Sequence, residues 1–255
     1  MLGIALLAAG CGSHVRTSAP PPRDAQPSRA DVAALPLPAP ACRAGTIRRL
    51  GSARRAYVGL APQGAVAYRA PGGAVAARFT QLNANGFPAY FGILAERLDA
   101  HCAVSWYRAQ LPVRPNGATG WIRASSLRVG AVPMRIEVSI SQRRLTLFDR
   151  GRRVLTATVA VGASATPTPT GRYYVNQRLV PTDTSGPYGP GALGISAFSP
   201  VLTGWAQGGP VAIHGTNEPW SIGHAVSNGC IRLPNATLER VFRLVDAGTP
   251  VIIRV

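Results

Sequence analysis

The sequence contains no lysine, so all 27 of its basic residues are arginine; only 10 residues are acidic, which leaves a formal net charge of +17. This charge favours contact with anionic polymers such as nucleic acid, anionic lipid or an acidic cell envelope. No run of five or more basic residues occurs, and aromatic residues do not alternate with the arginines. Because nucleic-acid-binding surfaces have such patterns, we expect no nucleic-acid partner.

The sequence also lacks an apolar segment long enough to cross a bilayer. The apolar run at residues 1–9 is about half the length of a transmembrane helix. It is typical of an export signal, and Leu7-Ala-Ala-Gly-Cys11 resembles a bacterial lipobox, whose cysteine is lipidated. We therefore predict a signal segment at residues 1–11, with Cys11 as the lipidation site. The chain would be exported to the cell envelope and held there, through lipid alone, outside the cytoplasmic membrane or in the periplasm. An ordinary apolar N-terminus is the alternative.

Residues 12–41 are rich in proline, alanine and serine, so they bury too little apolar surface to fold and are predicted to form an extended tether. Only four cysteines occur in the chain. In an exported protein, Cys42 and Cys102, which flank a compact region, are predicted to form a disulfide. Cys230 then has no structural partner and is a candidate reactive thiol, unless all the cysteines are buried, reduced and inert.

Residues 42–130 contain short β-like runs separated by turn signals such as Asn116-Gly117, a pattern that predicts about five strands in a small barrel. The stretch Ser105–Leu127 resembles the end of a bacterial SH3-like domain. That resemblance implies a role in binding a peptide or wall ligand and positioning the protein. The alternative is that Trp106 and Trp121 are simply core aromatic residues.

Residues 133–255 are predicted to be mainly β, with one helix on a curved sheet or barrel. Alternating polar and apolar residues predict strands at residues 135–141 and 144–148. A hairpin turn at Asp149–Arg152 is predicted to join the second of them to a further strand at residues 154–161. Asn235 is predicted to cap a helix that ends before Gly248. Residues 181–210 are rich in Gly, Pro and Ser and are predicted to form a long functional loop, such as a lid or a substrate wall.

The candidate chemistry of this region rests on His214, which ends the apolar run that begins at Pro210, and on Cys230, which follows Asn228-Gly229. A thiolate is the nucleophilic form of cysteine, and a neighbouring histidine can take the thiol proton and give a thiolate–imidazolium pair. These are the two parts of a thiol acyl-transfer enzyme. A lone histidine and a lone cysteine are nevertheless common and by themselves carry little meaning.

The residues around Cys230 suit such chemistry. Gly229 permits a sharp turn, and the amides of Gly229 and Cys230 can point at a common spot, as in an oxyanion hole. Arg232 lies on the same side of an extended segment and can hold a thiolate or a substrate carboxylate, and the Ser227 hydroxyl can brace the loop or the histidine. A zinc site at His214, His224 and Cys230 is the alternative, but the spacing matches no zinc signature, so we expect no metal and no cofactor.

The stretch Ile213–Leu233 resembles the signature of L,D-transpeptidases of the YkuD type, in which His-Gly-Thr is followed, after a spacer, by Ser-x-Gly-Cys-Ile/Val-Arg. Upstream segments match in order, among them the Thr-Pro-Thr-Gly171 loop, so the resemblance covers residues 135–255. One departure is Asn228, where many members carry histidine. The resemblance implies a β-sandwich or barrel with Cys230 as nucleophile and His214 as general base and acid. Substrate or oxyanion binding is expected at Thr216, Ser227, Asn228, Gly229 and Arg232.

The resemblance further implies an enzyme that remodels peptidoglycan by forming 3→3 cross-links between stem peptides through a cysteine thioester. Carbapenem-type β-lactams are the implied inhibitors. Two alternatives stay open. Attack of water on the same thioester would make the protein an L,D-carboxypeptidase, and a protein without turnover would be a peptidoglycan-binding module.

Overall fold

The computed structural model describes Arg43 and residues 45–255. The first eight strands within this range form one antiparallel sheet, termed here the N-terminal sheet, in the order β4-β3-β7-β6-β5-β2-β8, with β1 also pairing with β5. Its strands are β1 (Ile47–Arg49), β2 (Ala56–Ala61), β3 (Ala65–Tyr68), β4 (Val75–Phe79), β5 (Ala89–Leu98), β6 (Val104–Gln110), β7 (Thr119–Arg123) and β8 (Arg128–Val132).

Another set of strands forms the C-terminal sheet, in the order β11-β10-β9-β18-β13-β14-β15-β17. The short strands β12 and β16 pair in parallel beside it, and one α-helix, α1 (Asn235–Leu244), follows β17 in the described chain. The bounds are β9 (Met134–Ser139), β10 (Arg144–Asp149), β11 (Arg152–Thr158), β12 (Val161–Gly162), β13 (Gly171–Leu179), β14 (Ala192–Phe198), β15 (Pro210–His214), β16 (Ala225–Ser227), β17 (Ile231–Arg232) and β18 (Pro250–Arg254).

Strand β13 links the two halves of the C-terminal sheet. Residues Gly171–Tyr174 pair with β18, and the second part of the strand pairs with β14, with a register shift between Val175 and Gln177. Both halves send buried side chains into one apolar core, for example Leu147 from β10 and Leu193 from β14. The helix α1 covers this core with Leu238 and Val241, which are fully buried and three residues apart.

The structure confirms the prediction of a mainly β protein with one helix in the described residues. The predicted hairpin at residues 149–152 is also present, with positive φ at Arg150 (45°) and Gly151 (82°), as a tight two-residue turn requires. The N-terminal sheet has eight strands rather than about five. It has its own apolar core, centred on Phe91 and Ile122, and its assignment as an SH3-like domain stays a prediction.

Two predictions in the C-terminal part are wrong. The long loop at 181–210 contains a strand, β14, whose residues Ala192–Ala197 are all buried. A strand that is covered on both faces shows no polar–apolar alternation, so its pattern was missed. Asn235 is not the helix cap either: α1 begins at Asn235, Pro234 occupies the cap position, and no side chain caps the helix.

Several predictions lie outside the described residues. They are the signal segment at 1–11 with Cys11, the tether at 12–41 and the Cys42 partner of the predicted Cys42–Cys102 disulfide. The predicted domains at 42–130 and 133–255 also stay predictions; β8 ends at Val132 and β9 begins at Met134. No helix in the described part of the chain is long and apolar enough to cross a membrane.

Candidate active site

Strand pairing brings the candidate nucleophile and base together. Strands β15 and β17 run parallel, with Ile213 opposite Ile231 and His214 opposite Arg232. Because Ile213 and Ile231 point into the core, alternation along each strand turns Cys230, His214 and Arg232 towards the other face. A backbone hydrogen bond from Ala212 reaches the Cys230 thiol, which fixes that thiol beside the strand that carries His214.

His214 is buried, with 4% of its surface exposed. Its Nδ1 lies 2.5 Å from the Gly215 carbonyl oxygen. Because a carbonyl only accepts hydrogen bonds, Nδ1 carries the proton and Nε2 is left as the basic nitrogen. Burial lowers the pKa of His214 to about 4, a change that the Gly215 carbonyl opposes and the charge of Arg232 reinforces. His214 is therefore a neutral imidazole, able to accept a proton, at physiological pH.

Cys230 is a free cysteine and, taken as a whole residue, is partly exposed. Burial of its sulfur raises the pKa of the thiol, while the hydrogen bond from Ala212 and the charge of Arg232 lower it in part. Both pKa shifts in the pair favour the neutral forms. The resting site thus holds a thiol and a neutral imidazole, and a thiolate forms only when His214 removes the proton.

The turn before Cys230 is closed by the Ser227 hydroxyl. This hydroxyl donates to the Cys230 carbonyl oxygen at 2.6 Å and accepts from the Gly229 amide at 3.1 Å. Gly229 has φ of 108°, a conformation that side chains other than glycine rarely adopt. The sequence-based expectation for the Gly229 amide is therefore revised, because Ser227 already engages that amide. The Cys230 amide stays the candidate oxyanion donor, and Ser227 braces the cysteine loop rather than the histidine.

The loop at residues 163–170 holds the turn before Cys230 through side-chain hydrogen bonds, a role that the sequence did not reveal. The Thr168 hydroxyl donates to the Gly229 carbonyl at 3.0 Å and accepts from the Gly162 amide at 2.8 Å. The Thr166 hydroxyl donates to the Ser227 carbonyl at 2.9 Å. Thr168 belongs to the Thr-Pro-Thr-Gly171 motif and Thr166 precedes it, but only the fold shows that these two hydroxyls hold residues 227–229.

Arg232 acts on the pair electrostatically, but its guanidinium group already has a partner. Its Nη1 forms an ion pair with the Glu218 carboxylate, and only 18% of the Arg232 side chain is exposed. The Nε atom of Arg232 is buried without a hydrogen-bond partner among the described residues. The predicted contact of Arg232 with a substrate carboxylate would therefore compete with Glu218, a residue that the sequence reasoning did not consider.

The remaining predicted residues lie at the rim or behind the site. Thr216 is buried, and its hydroxyl accepts from the Glu218 amide at 2.9 Å, so this hydroxyl orders the loop after His214. Asn228 is exposed beside the cysteine turn. His224 is exposed, and it contributes its backbone carbonyl to Val161.

A further residue near the histidine was not predicted. The ring of Tyr188 meets the His214 imidazole edge-on, with 5.0 Å between ring centroids, and half of the Tyr188 surface is exposed. Tyr188 lies in the Gly- and Pro-rich segment that precedes β14. No group of three or more His, Cys, Asp or Glu side chains able to hold a metal ion occurs among the described residues.

Comparison with known proteins finds a similarity in the region around this pair. Residues 133–253 match the model of the L,D-transpeptidase catalytic domain, YkuD. This region is therefore similar to the catalytic domain of YkuD-type L,D-transpeptidases. His214 and Cys230 both lie within it, as do all the residues described above as bracing them.

Two curated YkuD relatives show the extent of the similarity. The putative L,D-transpeptidases YkuD of Bacillus licheniformis and Bacillus subtilis are each 38% identical to this chain over 122 residues. The alignment covers 48% of this chain and 66% of each relative, slightly less than two thirds of their length. Among solved structures, an L,D-transpeptidase from Mycobacterium smegmatis is 16% identical, with a TM-score of 0.39 over 65% of this chain and 90% of that chain.

Proposed function

We propose that this protein is a cysteine L,D-transpeptidase that acts on peptidoglycan stem peptides. The observation that carries the proposal is the pairing of β15 with β17, which puts a free thiol, Cys230, and a neutral buried imidazole, His214, on one face of a YkuD-like domain. A thiol acyl transfer requires a nucleophile and a base in this relation. The site needs no metal or cofactor for such a reaction.

In the proposed reaction, Nε2 of His214 takes the thiol proton as the Cys230 sulfur attacks the carbonyl carbon of the third stem residue. The tetrahedral intermediate collapses, the bond to the terminal D-alanine breaks, and His214 returns the proton to the departing amine. A thioester is left on Cys230. An amine of a second stem then attacks the thioester, loses a proton to His214 and releases the cysteine, which recovers its proton.

The direction of the pKa shifts supports a general-base form of this reaction. A neutral imidazole with a protonated Nδ1 has its second nitrogen free for the thiol proton. The imidazolium formed on proton transfer is stabilised by the Gly215 carbonyl and opposed by Arg232. It is therefore a short-lived, strongly acidic group that readily returns the proton to a leaving amine.

A carbapenem tests the nucleophile. Its strained lactam is an acyl donor, so the wild-type protein is expected to gain the mass of one carbapenem molecule, measured on the intact protein, whereas Cys230→Ala is expected to gain none. Cys230→Ser is the matched control for shape, because it replaces the thiol with a hydroxyl of similar size that is a far weaker nucleophile. An unmodified wild-type protein would refute thiol acyl transfer at this site.

Purified tetrapeptide muropeptides distinguish the transferase from its hydrolytic alternative. Cross-linked dimers that appear with wild-type protein and disappear with Cys230→Ala support transpeptidation. Tripeptides without dimers identify an L,D-carboxypeptidase that uses the same thioester. Retention of muropeptides without either product identifies the third alternative, a peptidoglycan-binding protein without turnover.

A further inference from the structure

One peptide group stands behind the histidine, and both of its polar atoms are bound. The carbonyl oxygen of Gly215 accepts from His214 Nδ1. The amide of the same peptide group, contributed by Thr216, donates to Oδ1 of Asn235 at 2.7 Å. The carbonyl and amide of a trans peptide point in opposite directions, so Asn235 holds this group from the side away from the imidazole.

Asn235 is an exposed residue, but its side-chain oxygen lies against two of the loops around the histidine. A Cβ atom built on Gly215 would lie 2.4 Å from Asn235 Oδ1, and one built on Gly189 would lie at the same distance. Gly189 directly follows Tyr188, the residue whose ring meets the imidazole. Only glycine leaves room for the Asn235 amide at both positions, so one side chain contacts the histidine loop and the tyrosine loop together.

The position of Asn235 in the helix is also informative. Asparagine is among the least favourable residues in a helix interior and is valued at the cap, where its side chain binds free backbone amides. Asn235 is the first residue of α1, one position after the cap, and its side chain makes no capping bond. Its hydrogen-bonding capacity serves the Thr216 amide instead, a contact with a different loop.

We propose that Asn235 is a positioning residue for His214, acting through the Gly215–Thr216 peptide group. Its acceptor oxygen fixes the peptide plane, so that the Gly215 carbonyl holds the proton on Nδ1 and aims Nε2 at Cys230. When His214 becomes positively charged during the reaction, the chain from Asn235 through the peptide group to the imidazole strengthens, because aligned hydrogen bonds polarise one another. This role rests on the proposed acyl transfer at Cys230.

Other groups around the imidazole set the background for a pH test. Tyr188 faces it from the loop before β14, Arg232 lies opposite it on β17, and Cys230 directly precedes that strand. Glu218 affects the imidazole indirectly, because it forms an ion pair with Arg232. None of these groups contacts Asn235 in the described structure by a hydrogen bond or ion pair, so substitution at Asn235 leaves their identities and direct partners unchanged.

Two variants separate positioning from simple packing. Asn235→Ala removes the acceptor and is expected to slow carbapenem acylation of Cys230 about 10- to 100-fold near neutral pH, the size of effect found when a metal-bound imidazole loses the partner that orients it. Asn235→Asp keeps an acceptor at the same place and adds negative charge. It is expected to retain most of the rate and to move the acid limb of the pH–rate profile upwards by about one unit.

The controls address access and folding. Alkylation of Cys230 by iodoacetamide at high pH, where the thiolate forms without a base, is expected to be unchanged in Asn235→Ala. Glu239→Gln changes an exposed side chain on the same helix as Asn235 and is expected to acylate at the wild-type rate. Circular dichroism checks that every variant is folded.

The inference is overturned if Asn235→Ala acylates at the wild-type rate across the pH range, or if Asn235→Asp is as slow as Asn235→Ala. The imidazole titration of His214, followed by NMR and assigned with His214→Gln, requires no turnover. Its midpoint is expected to rise in Asn235→Asp, and an unchanged midpoint contradicts the proposal. A wild-type protein that fails to react with carbapenem would instead refute the proposed function, while leaving this titration interpretable.

Discussion

The burial of His214 predicts a specific sensitivity of the fold to acid. Its pKa is lowered from an ordinary value of 6.5 to about 4 in the folded protein. Between these two values the unfolded chain binds more protons at this residue than the folded chain does. Stability contributed by the neutral imidazole is therefore present above pH 6.5 and is lost as the pH falls towards 4. Linkage gives a loss of about 3 kcal/mol at pH 4 from this residue.

Urea unfolding of the wild type and of His214→Gln, compared at about pH 7 and about pH 4, isolates this contribution. Glutamine is uncharged at both pH values and can still donate a hydrogen bond to the Gly215 carbonyl. Because the carboxylates titrate in both proteins, their effect cancels in the comparison. The wild type is expected to lose about 3 kcal/mol more than the variant on acidification. Equal losses in the two proteins would refute the conclusion that burial keeps His214 neutral.

The same pKa determines the pH range of acylation. At pH 5, about nine tenths of a histidine with a pKa of about 4 is unprotonated, compared with about 3% for a pKa of 6.5. Carbapenem acylation of Cys230 is therefore expected to remain near its plateau at pH 5. A rate that is half-maximal near pH 6.5 would show that His214 titrates as an exposed imidazole, which contradicts the geometry described above.

Two further predictions concern a support of the site and a contact between the two sheets. Thr168→Val removes the buried hydroxyl that links Gly162 to Gly229. It is expected to lower the free energy of unfolding in urea by about 1–3 kcal/mol and to slow acylation. An unchanged urea midpoint would contradict the bracing role. Gly248→Ala places a Cβ 2.3 Å from Val58 of β2, at a φ of 88°. It is expected to lower the melting temperature by several degrees. Full retention of thermal stability would show that the contact between β2 and the turn at Gly248 is loose.

The sequence predicted those elements whose signals are local. Residues 144–148 alternate between buried and partly exposed positions because one face of β10 packs on the core, and the glycine at 151 marks the turn that follows. Strand β14 gave no such signal, since it is covered on both sides and contains small residues in a Gly- and Pro-rich context. Its existence depends on its neighbours β13 and β15, which the local pattern does not contain.

The residues of the candidate site also fall into those that the sequence predicted and those that it did not. His214, Gly229 and Cys230 belong to one short motif, so their association could be inferred from spacing. Glu218 and Tyr188 could not be, because their contacts with Arg232 and His214 depend on how separate loops fold back. The prediction of Asn235 as a helix cap is wrong because asparagine is favoured at caps, and this local preference does not depend on backbone amides elsewhere in the fold. The Asn235 side chain accepts from the Thr216 amide instead.

Strand β13 has a consequence for how the two sheets depend on each other. Its Tyr174 hydroxyl donates to the Tyr90 carbonyl at 2.9 Å, and Gln177 Oε1 accepts from the side-chain amides of Asn83 and Asn85 at 2.8 and 3.0 Å. In a C-terminal fragment that began at Met134, the Tyr174 hydroxyl and the Gln177 amide would lose these hydrogen-bond partners. The two sheets are therefore coupled by specific side-chain contacts. Replacing the N-terminal sheet with another domain would require a surface that binds the same two side chains.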